Sequence, residues 1–455
     1  LAGLTVLTGQ AYPFPDRQEP DSTLIAVVTR ALESPDLQAM AMGLIDTIGG
    51  RLSGTPAGTR SEAWAAQWLR RLGMDSVWFE PVRIPVWRRG AASLRVVAPA
   101  LLRQRRISAA AYGYTPGLTA DSVPVIDIGR GNPVTVDSIS TDLEGAALLT
   151  DGVVGAELIA KAVERGAAAL LRISFEPGRL PQARVAPTAE PPAPLAILSL
   201  PREDGLWLRR QVAAGPLSLA IRVEAETQPG TSLNVVGEWR GSDAAVRDEI
   251  FLLGAHLDSW DLGDGAIDNG TGVLTVLSAV QALSSGAVRP RRTVRVVLFA
   301  AEELGLLGSR RYVQAHGDEM SRLVAMMNLD MVGRPEAYGA TGHSEADSLF
   351  ARLAGMLEGL GLEAQVNHGG GPGSDHQPFL LAGVPTIYVQ TSLPPDAPLW
   401  YHNAGDTLDK VDLDALRASA AAVAAAVWSL ADHPGRPLRH LSAQETRVLV
   451  QRLGW

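Results

Sequence analysis

From Asp21 to Leu72 apolar residues recur at helical spacing, with one break at GGRLSGTPAG, Gly49 to Gly58, where glycines and a proline predict a loop. The helix resumes in SEAWAAQWLRRLG, where Ser61, Trp64, Trp68 and Leu72 share one face and Gly73 ends it. Runs rich in β-branched and aromatic residues, SVWFEPVRIPVW and SLRVVAP, predict two strands. Between about Gly113 and Glu226 the composition shifts to Ala, Val, Gly and Pro. Strands are predicted there at VPVIDIG, GAALLTD, AALLRIS, LAILSL and LSLAIRV, with helices at AELIAKAVERG and EDGLWLRRQVAAG. This reads as a small α/β unit with a proline-rich loop, FEPGRLPQARVAPTAEPPAP, and without a ligand cluster of its own, hence a non-catalytic insert.

After SLNVVGEWRG, strand and helix alternate. EIFLLGAHLD, TVRVVLFAAEE, RLVAMMNLDM and VPTIYVQ are predicted strands; GVLTVLSAVQALSS, LGSRRYVQAH, EADSLFARLAGMLEGL and LDALRASAAAVAAAVWSLA are predicted helices. Continuous apolar strands separated by helices indicate buried, largely parallel pairing, so the expected class is α/β, a mixed sheet with helices on both faces. The expected division is a leader or extended segment over 1–20, a catalytic domain over 21–112 and 227–432, the insert over 113–226 and a helical tail over 433–455. The tail contains SAQETRVLVQRLGW, which opens with a capping box of Ser442 and Glu445.

Composition narrows the function. The 455 residues are 46% hydrophobic, ample for a large core. The net charge of -9 comes from 49 acids and 40 bases scattered along the chain, without the basic stripe a nucleic-acid partner or anionic membrane would require. Cysteine is absent, so thiolate metal sites and cysteine nucleophiles are excluded. No apolar run of about 18 residues predicts a membrane span. The opening LAGLTVLTGQAYPFP has neither Met nor a basic n-region; the expectation drawn from it is export, to a secreted or periplasmic location.

The chemistry lies in the acids and histidines. His256 and Asp258 follow one strand, Glu302 and Glu303 a second, and Asp330 a third, so all gather at the carboxyl edge of the sheet, where open α/β sheets place ligands. Asp268 in AIDNGTG and His402 in YHNAGDT join them in chain order. Any one acid at a strand end is adequately explained as a helix cap; three together are not. Imidazole and carboxylate suit zinc, and this set suffices for two ions with one acid left over. Of the neighbours Glu302 and Glu303, one binds and one moves a proton. Asp258 is expected to orient the His256 imidazole, and Tyr401 either donates to a developing oxyanion or packs in the core. GGGPGSDHQPF, Gly369 to Phe379, reads as a mobile cleft wall with Asp375 touching substrate; it lacks the GKS/T of a phosphate loop, and consecutive Ser374, Asp375 and His376 fan apart too far for a triad. The remaining histidines, His316, His343, His368, His433 and His440, read as surface residues without acidic partners.

The ordered motifs HLDSWD, IDNGTG, AEELGLLGS, LDMVG, SDHQPFLLAGVP and HNAGDT resemble the co-catalytic zinc aminopeptidase family, which includes bacterial leucyl aminopeptidases and glutamate carboxypeptidases. RLSGTP, FEPVRIPVWRRG and GAHLDSWDLGDGAIDNG most resemble its carboxypeptidase Q-like branch, whereas NLDMVG and GPGSDHQPF are nearer the aminopeptidases. The resemblance implies two Zn2+ per chain. Asp268 would bridge them, His256 and Asp330 complete one site and Glu303 and His402 the other; a metal-bridging hydroxide would be the nucleophile and Glu302 the general base. It further implies a protease-associated domain over 113–226, small peptide substrates, a homodimer and dipeptidase activity. The alternatives are a general leucyl-type aminopeptidase, a single-zinc transferase of the glutaminyl cyclase kind, and a non-enzymatic receptor on the same fold.

Overall fold

The computed structural model describes residues 22–286 and 288–455; the segment expected to be a leader, 1–20, lies outside them. Among the described residues one 14-stranded sheet organises the chain. Ile250–His256 runs parallel to both its neighbours, Thr293–Phe299 and Leu323–Asn328, and Thr386–Ser392 runs parallel to the latter. Alternate residues of Ile250–His256 enter different cores: Phe251, Leu253 and Ala255 one, Ile250 and Leu252 the other. A strand buried on both faces has no polar side to present, which is why these segments read as unbroken apolar runs. The fold is the expected mixed α/β sheet covered on both faces.

Ser22–Glu33, Thr271–Ser284 and Leu413–Ala431 pack together on the first face. The third helix is long and apolar enough to cross a membrane, yet it is mostly buried inside the protein. Its alanines let it lie close to the sheet, and Tyr338 Oη donates to the carbonyl of Ala422 at 2.8 Å. Leu307–Ala315 and His376–Leu381 lie against the second face, with Tyr312, Phe299 and Phe379 in mutual ring contact.

Several elements differ from expectation. The strands predicted as SVWFEPVRIPVW and SLRVVAP are one strand, Ser76–Ala98, paired antiparallel with Ser218–Trp239 from Ser76 opposite Glu238 to Ala98 opposite Ser218. Pro81, Pro85 and Pro229 do not break this ribbon, because there each strand has a partner on one side only and the missing N–H falls on the free edge. The strand Ser218–Trp239 thus runs through position 226/227 without a break. Two further strands, Arg334–Ala340 and Glu363–Asn367, form the far edge; RPEAYGA has no β-branched residue to announce the first of them. The helix predicted over EADSLFARLAGMLEGL shortens to Asp347–Met356, whereas the Ser442–Glu445 capping box forms as read.

Three histidines expected to lack acidic partners have them, a correction to the sequence reading. His343 Nδ1 lies 2.9 Å from Glu345, His368 Nε2 3.1 Å from Asp347, and His316 Nε2 3.1 Å from Glu80. Glu80 is 236 residues from His316, so no local pattern could have announced that pair. His316 also stacks on Tyr312, beside Glu319 and the Arg295 guanidinium. The hydrogen bond to Glu80 raises the His316 pKa above its usual 6.5. A raised folded pKa stabilises the fold below pH 6.5 and loses that effect as pH climbs through the raised value. His316→Gln is therefore expected to lower the urea midpoint more at about pH 6 than at about pH 10; equal losses at both would contradict it.

Candidate metal centre

Two donor triads meet at the carboxyl edge of the sheet: His256, Asp268 and Asp330 in one, Asp268, Glu303 and His402 in the other. Within each, the ligand atoms lie within 4.8 Å of one another. His256 Nε2 is 3.2 Å from Asp268 Oδ1 and 3.4 Å from Asp330 Oδ1. His402 Nε2 is 3.0 Å from Asp268 Oδ2 and 3.2 Å from Glu303 Oε2. Asp268 thus offers one oxygen to each histidine. All five side chains expected as metal ligands are brought together, from five separate segments.

The donor set fits divalent cations. His256 Nε2 and Glu303 Oε1 are buried without a hydrogen-bond partner, a costly state unless something else satisfies them. Burial pushes Glu303 up to about 7 even though His402 opposes the shift. Burial also raises Glu302 well above the usual carboxylate range against the pull of His256, with Asp330, Glu303 and Asp375 adding to the rise. Only Asp268 is held far below: burial works against it, but the hydrogen-bonding imidazoles of His256 and His402 prevail. Arg51, buried against the same turns, spends its donors on backbone carbonyls. A buried carboxylate cluster of this kind calls for metal charge.

The supporting residues are those the sequence reading left without roles. Arg51 is fully buried, its pKa brought down to about 10 by that burial. Its Nε donates to Leu257 O at 2.7 Å, Nη1 to Asp264 O at 2.9 Å and Nη2 to Gly265 O at 2.9 Å, tying the His256 turn to the loop before Asp268. Gly265 must lack a side chain: at φ +61° a Cβ would fall 2.2 Å from Ser259 Oγ and 2.9 Å from Arg51 Nη1. Asp406 accepts from the backbone N–H of Ile267 at 2.6 Å and of Asp268 at 3.1 Å; burial pushes its pKa up to about 6. Asn269 donates to Leu329 O and accepts from Met331 N, joining the Asp268 turn to the Asp330 turn. Arg51→Met should destabilise the protein by ~3 kcal/mol, since three buried carbonyls lose charged donors. Urea unfolding measures this, and an unchanged midpoint would refute it.

Three ligand-bearing turns are held left-handed without glycine: Ala301 at φ +55°, Met331 at +54° and His402 at +58°. Each such residue costs roughly 1–2 kcal/mol, and hydrogen bonds hold it there. Ser53 Oγ accepts from Ala301 N at 2.8 Å, and Met331 N donates to Asn269 at 3.0 Å.

Asp258 needs a correction. The His256 Nδ1 partner is the Asp258 backbone carbonyl at 2.9 Å, not its carboxylate, whose Oδ1 lies 3.9 Å away. That carboxylate accepts from the Glu302 backbone N–H at 3.1 Å, so Asp258 positions the acid instead. Two residues along an extended chain place the nearer carbonyl at the ring before the side chain reaches it. Asp375 is fully buried; the exposed part of its loop is Gly371 to Gly373. Ser374 Oγ donates to Asp330 Oδ2 at 2.5 Å while His376 Nε2 pairs with Gly371 O, so no triad assembles there. The Tyr401 ring is half-buried and stacks on His402, centroids 3.7 Å apart.

The insert touches the site directly, which its sequence did not announce. His402 Nδ1 pairs with the carbonyl of Ala183 at 3.2 Å, and Ala183 N donates back to His402 O at 2.7 Å. Gln182 Nε2 reaches Tyr401 O at 3.4 Å. The proline-rich loop therefore orients the ring of a histidine in one of the two donor triads; a backbone carbonyl leaves no signature in composition.

Strand-edge donors stand on a two-faced sheet, with one carboxylate shared between two triads, and residues 234–427 match the model of Peptidase family M28. Among particular proteins, carboxypeptidase Q of Homo sapiens is 29% identical over 409 residues, 86% of this chain and 83% of its own length. A Peptidase M28 precursor from Shewanella amazonensis superposes with TM-score 0.78 at 26% identity, covering 92% of this chain and all of its own. A zinc aminopeptidase from Bacillus subtilis shares the fold, TM-score 0.72 at 24% identity over 90% of this chain and 98% of that one.

Proposed function

We propose that the protein is a binuclear zinc exopeptidase that hydrolyses dipeptides or short peptides with a free amino terminus. The sharing of Asp268 between two complete triads carries this reading. His256 and Asp330 would hold one zinc and Glu303 and His402 the other. Bound there, zinc supplies Lewis acidity and a water acidified enough to react at neutral pH.

Glu302 acts as general base, taking the proton from the nucleophilic water and passing it to the leaving amine. Its raised pKa brings it towards the operating pH, where a general base works best. Asp258 holds the Glu302 backbone, and Tyr401, whose ring stacks on His402, would donate to the carbonyl oxygen of the scissile bond. The names of the relatives, a carboxypeptidase and a zinc aminopeptidase, support an exopeptidase. The segment 113–226 is proposed as a protease-associated domain, and an exported homodimer as the working form.

The test is metal content measured alongside hydrolysis of free dipeptides, amino-acid amides and longer peptides. Two zinc ions per chain and chelator-sensitive cleavage from the amino end are expected. One zinc with cyclisation of amino-terminal Gln would replace this reading with the transferase.

A further inference from the structure

A cavity of about 280 Å³ opens beside Glu303 and His402, and its lining includes Tyr112 and, from the segment 113–226, Arg172, Phe175 and Arg184. Arg172 is 2% exposed on the strand Ala169–Ile173, and Arg184 is half-buried in the loop that clamps His402. Among the described residues neither arginine forms an ion pair. Asp151, whose charge Arg172 feels, pairs through Oδ2 with Arg209 at 2.9 Å and leaves Oδ1 without a hydrogen-bond partner, and Glu303 belongs to a donor triad. Arg172 Nη1, Arg184 Nε and, across the cavity, Trp260 Nε1 are all buried without a hydrogen-bond partner.

Three unpaired N–H donors on residues lining one cavity, two of them on cations that repel each other, are expensive in a dry protein. An anion repays that cost. The guanidinium fork suits a planar carboxylate, which accepts two parallel hydrogen bonds. Phe175 lies under the Arg172 guanidinium at 4.2 Å and holds it in place.

We infer that Arg172 and Arg184, with Trp260, form a carboxylate-binding subsite of the active cleft, and that its ligand is the free α-carboxylate of a dipeptide substrate. The inference rests on the exopeptidase reading and makes the insert a determinant of specificity. It explains how a metal site common to aminopeptidases would be restricted to short substrates: a longer peptide or an amide presents no anion at this distance from the scissile bond. A second source of the same chemistry is the side-chain carboxylate of an acidic amino-terminal residue.

The experiment compares kcat/KM of the zinc-loaded wild type, Arg184→Gln and Arg172→Gln on Leu-Ala, Leu-Ala-amide and Glu-Ala-amide. Wild type is expected to prefer Leu-Ala over its amide at least tenfold, and each variant to lose most of that preference, chiefly through KM. Equal wild-type rates on Leu-Ala and Leu-Ala-amide overturn the α-carboxylate as ligand while leaving the exopeptidase intact. A preference for Glu-Ala-amide over Leu-Ala-amide that vanishes in the variants assigns the subsite to the acidic side chain instead. A wild-type preference for Leu-Ala that persists in both variants removes the arginines from recognition. Failure to cleave any of the three overturns the exopeptidase reading and this one with it. Binding of Leu-Ala and its amide to Glu302→Gln, with and without Arg184→Gln, gives the same comparison without turnover. If Arg172→Gln does not fold, Arg184→Gln on its surface loop decides the matter.

Discussion

Replacing Glu302 with Gln should lower kcat by ~10²–10⁴-fold, the range a positioned general base contributes, while the zinc content stays that of the wild type. The separation of effects follows from geometry. Glu302 belongs to neither donor triad, whereas its neighbour Glu303 lies 3.2 Å from His402 Nε2. Gln keeps the shape of the side chain and cannot take a proton. Its backbone N–H still donates to Asp258, so the turn that carries it should remain in register. Steady-state kinetics on a cleaved dipeptide, with elemental analysis of the same preparation, measures both quantities. Near-normal turnover would end the assignment of Glu302 as base; loss of zinc together with turnover would make it a ligand.

Asp268→Ala is the companion case and should remove both metals at once. Each of its oxygens faces a different histidine, so no other single side chain is common to both sites. Activity is expected to fall below detection and dialysed protein to hold less than one zinc per chain. Stability gives an independent reading: ligand at 100 times its Kd adds ~2.7 kcal/mol to a protein that binds only when folded. Zinc should therefore raise the melting temperature of wild type and leave that of Asp268→Ala unchanged. A variant that retained one tightly held zinc would mean that the triads work independently and that Asp268 does not bridge.

These results bear on how far local pattern reaches. The five clustered donors and Glu302 were legible because strand ends and glycine-flanked turns have local signatures: an apolar run followed by an acid, or Asp268 and His402 amid small residues. Asp406 and Asn269 lay inside the same motifs, but nothing local distinguishes a side chain that ties down a turn from one that faces solvent. The role of Asp258 was misassigned because backbone carbonyls are invisible in a string of side chains.

The sequence by itself determined the alternation of strand and helix, the absence of thiolate chemistry and the identity of the donor atoms, since each depends on neighbours within a few residues. Only the tertiary structure decided that Ala183 would orient His402 across 219 positions, that Glu80 would reach His316, and that Arg172 Nη1 and Arg184 Nε would be buried without partners on residues that line one cavity with Glu303 and His402. Those contacts depend on how the long ribbon of Ser76–Ala98 and Ser218–Trp239 carries the insert back over the cleft. Pairing register and the docking of one layer on another are set by the sum of many weak, long-range contacts, and no short window of residues contains that sum.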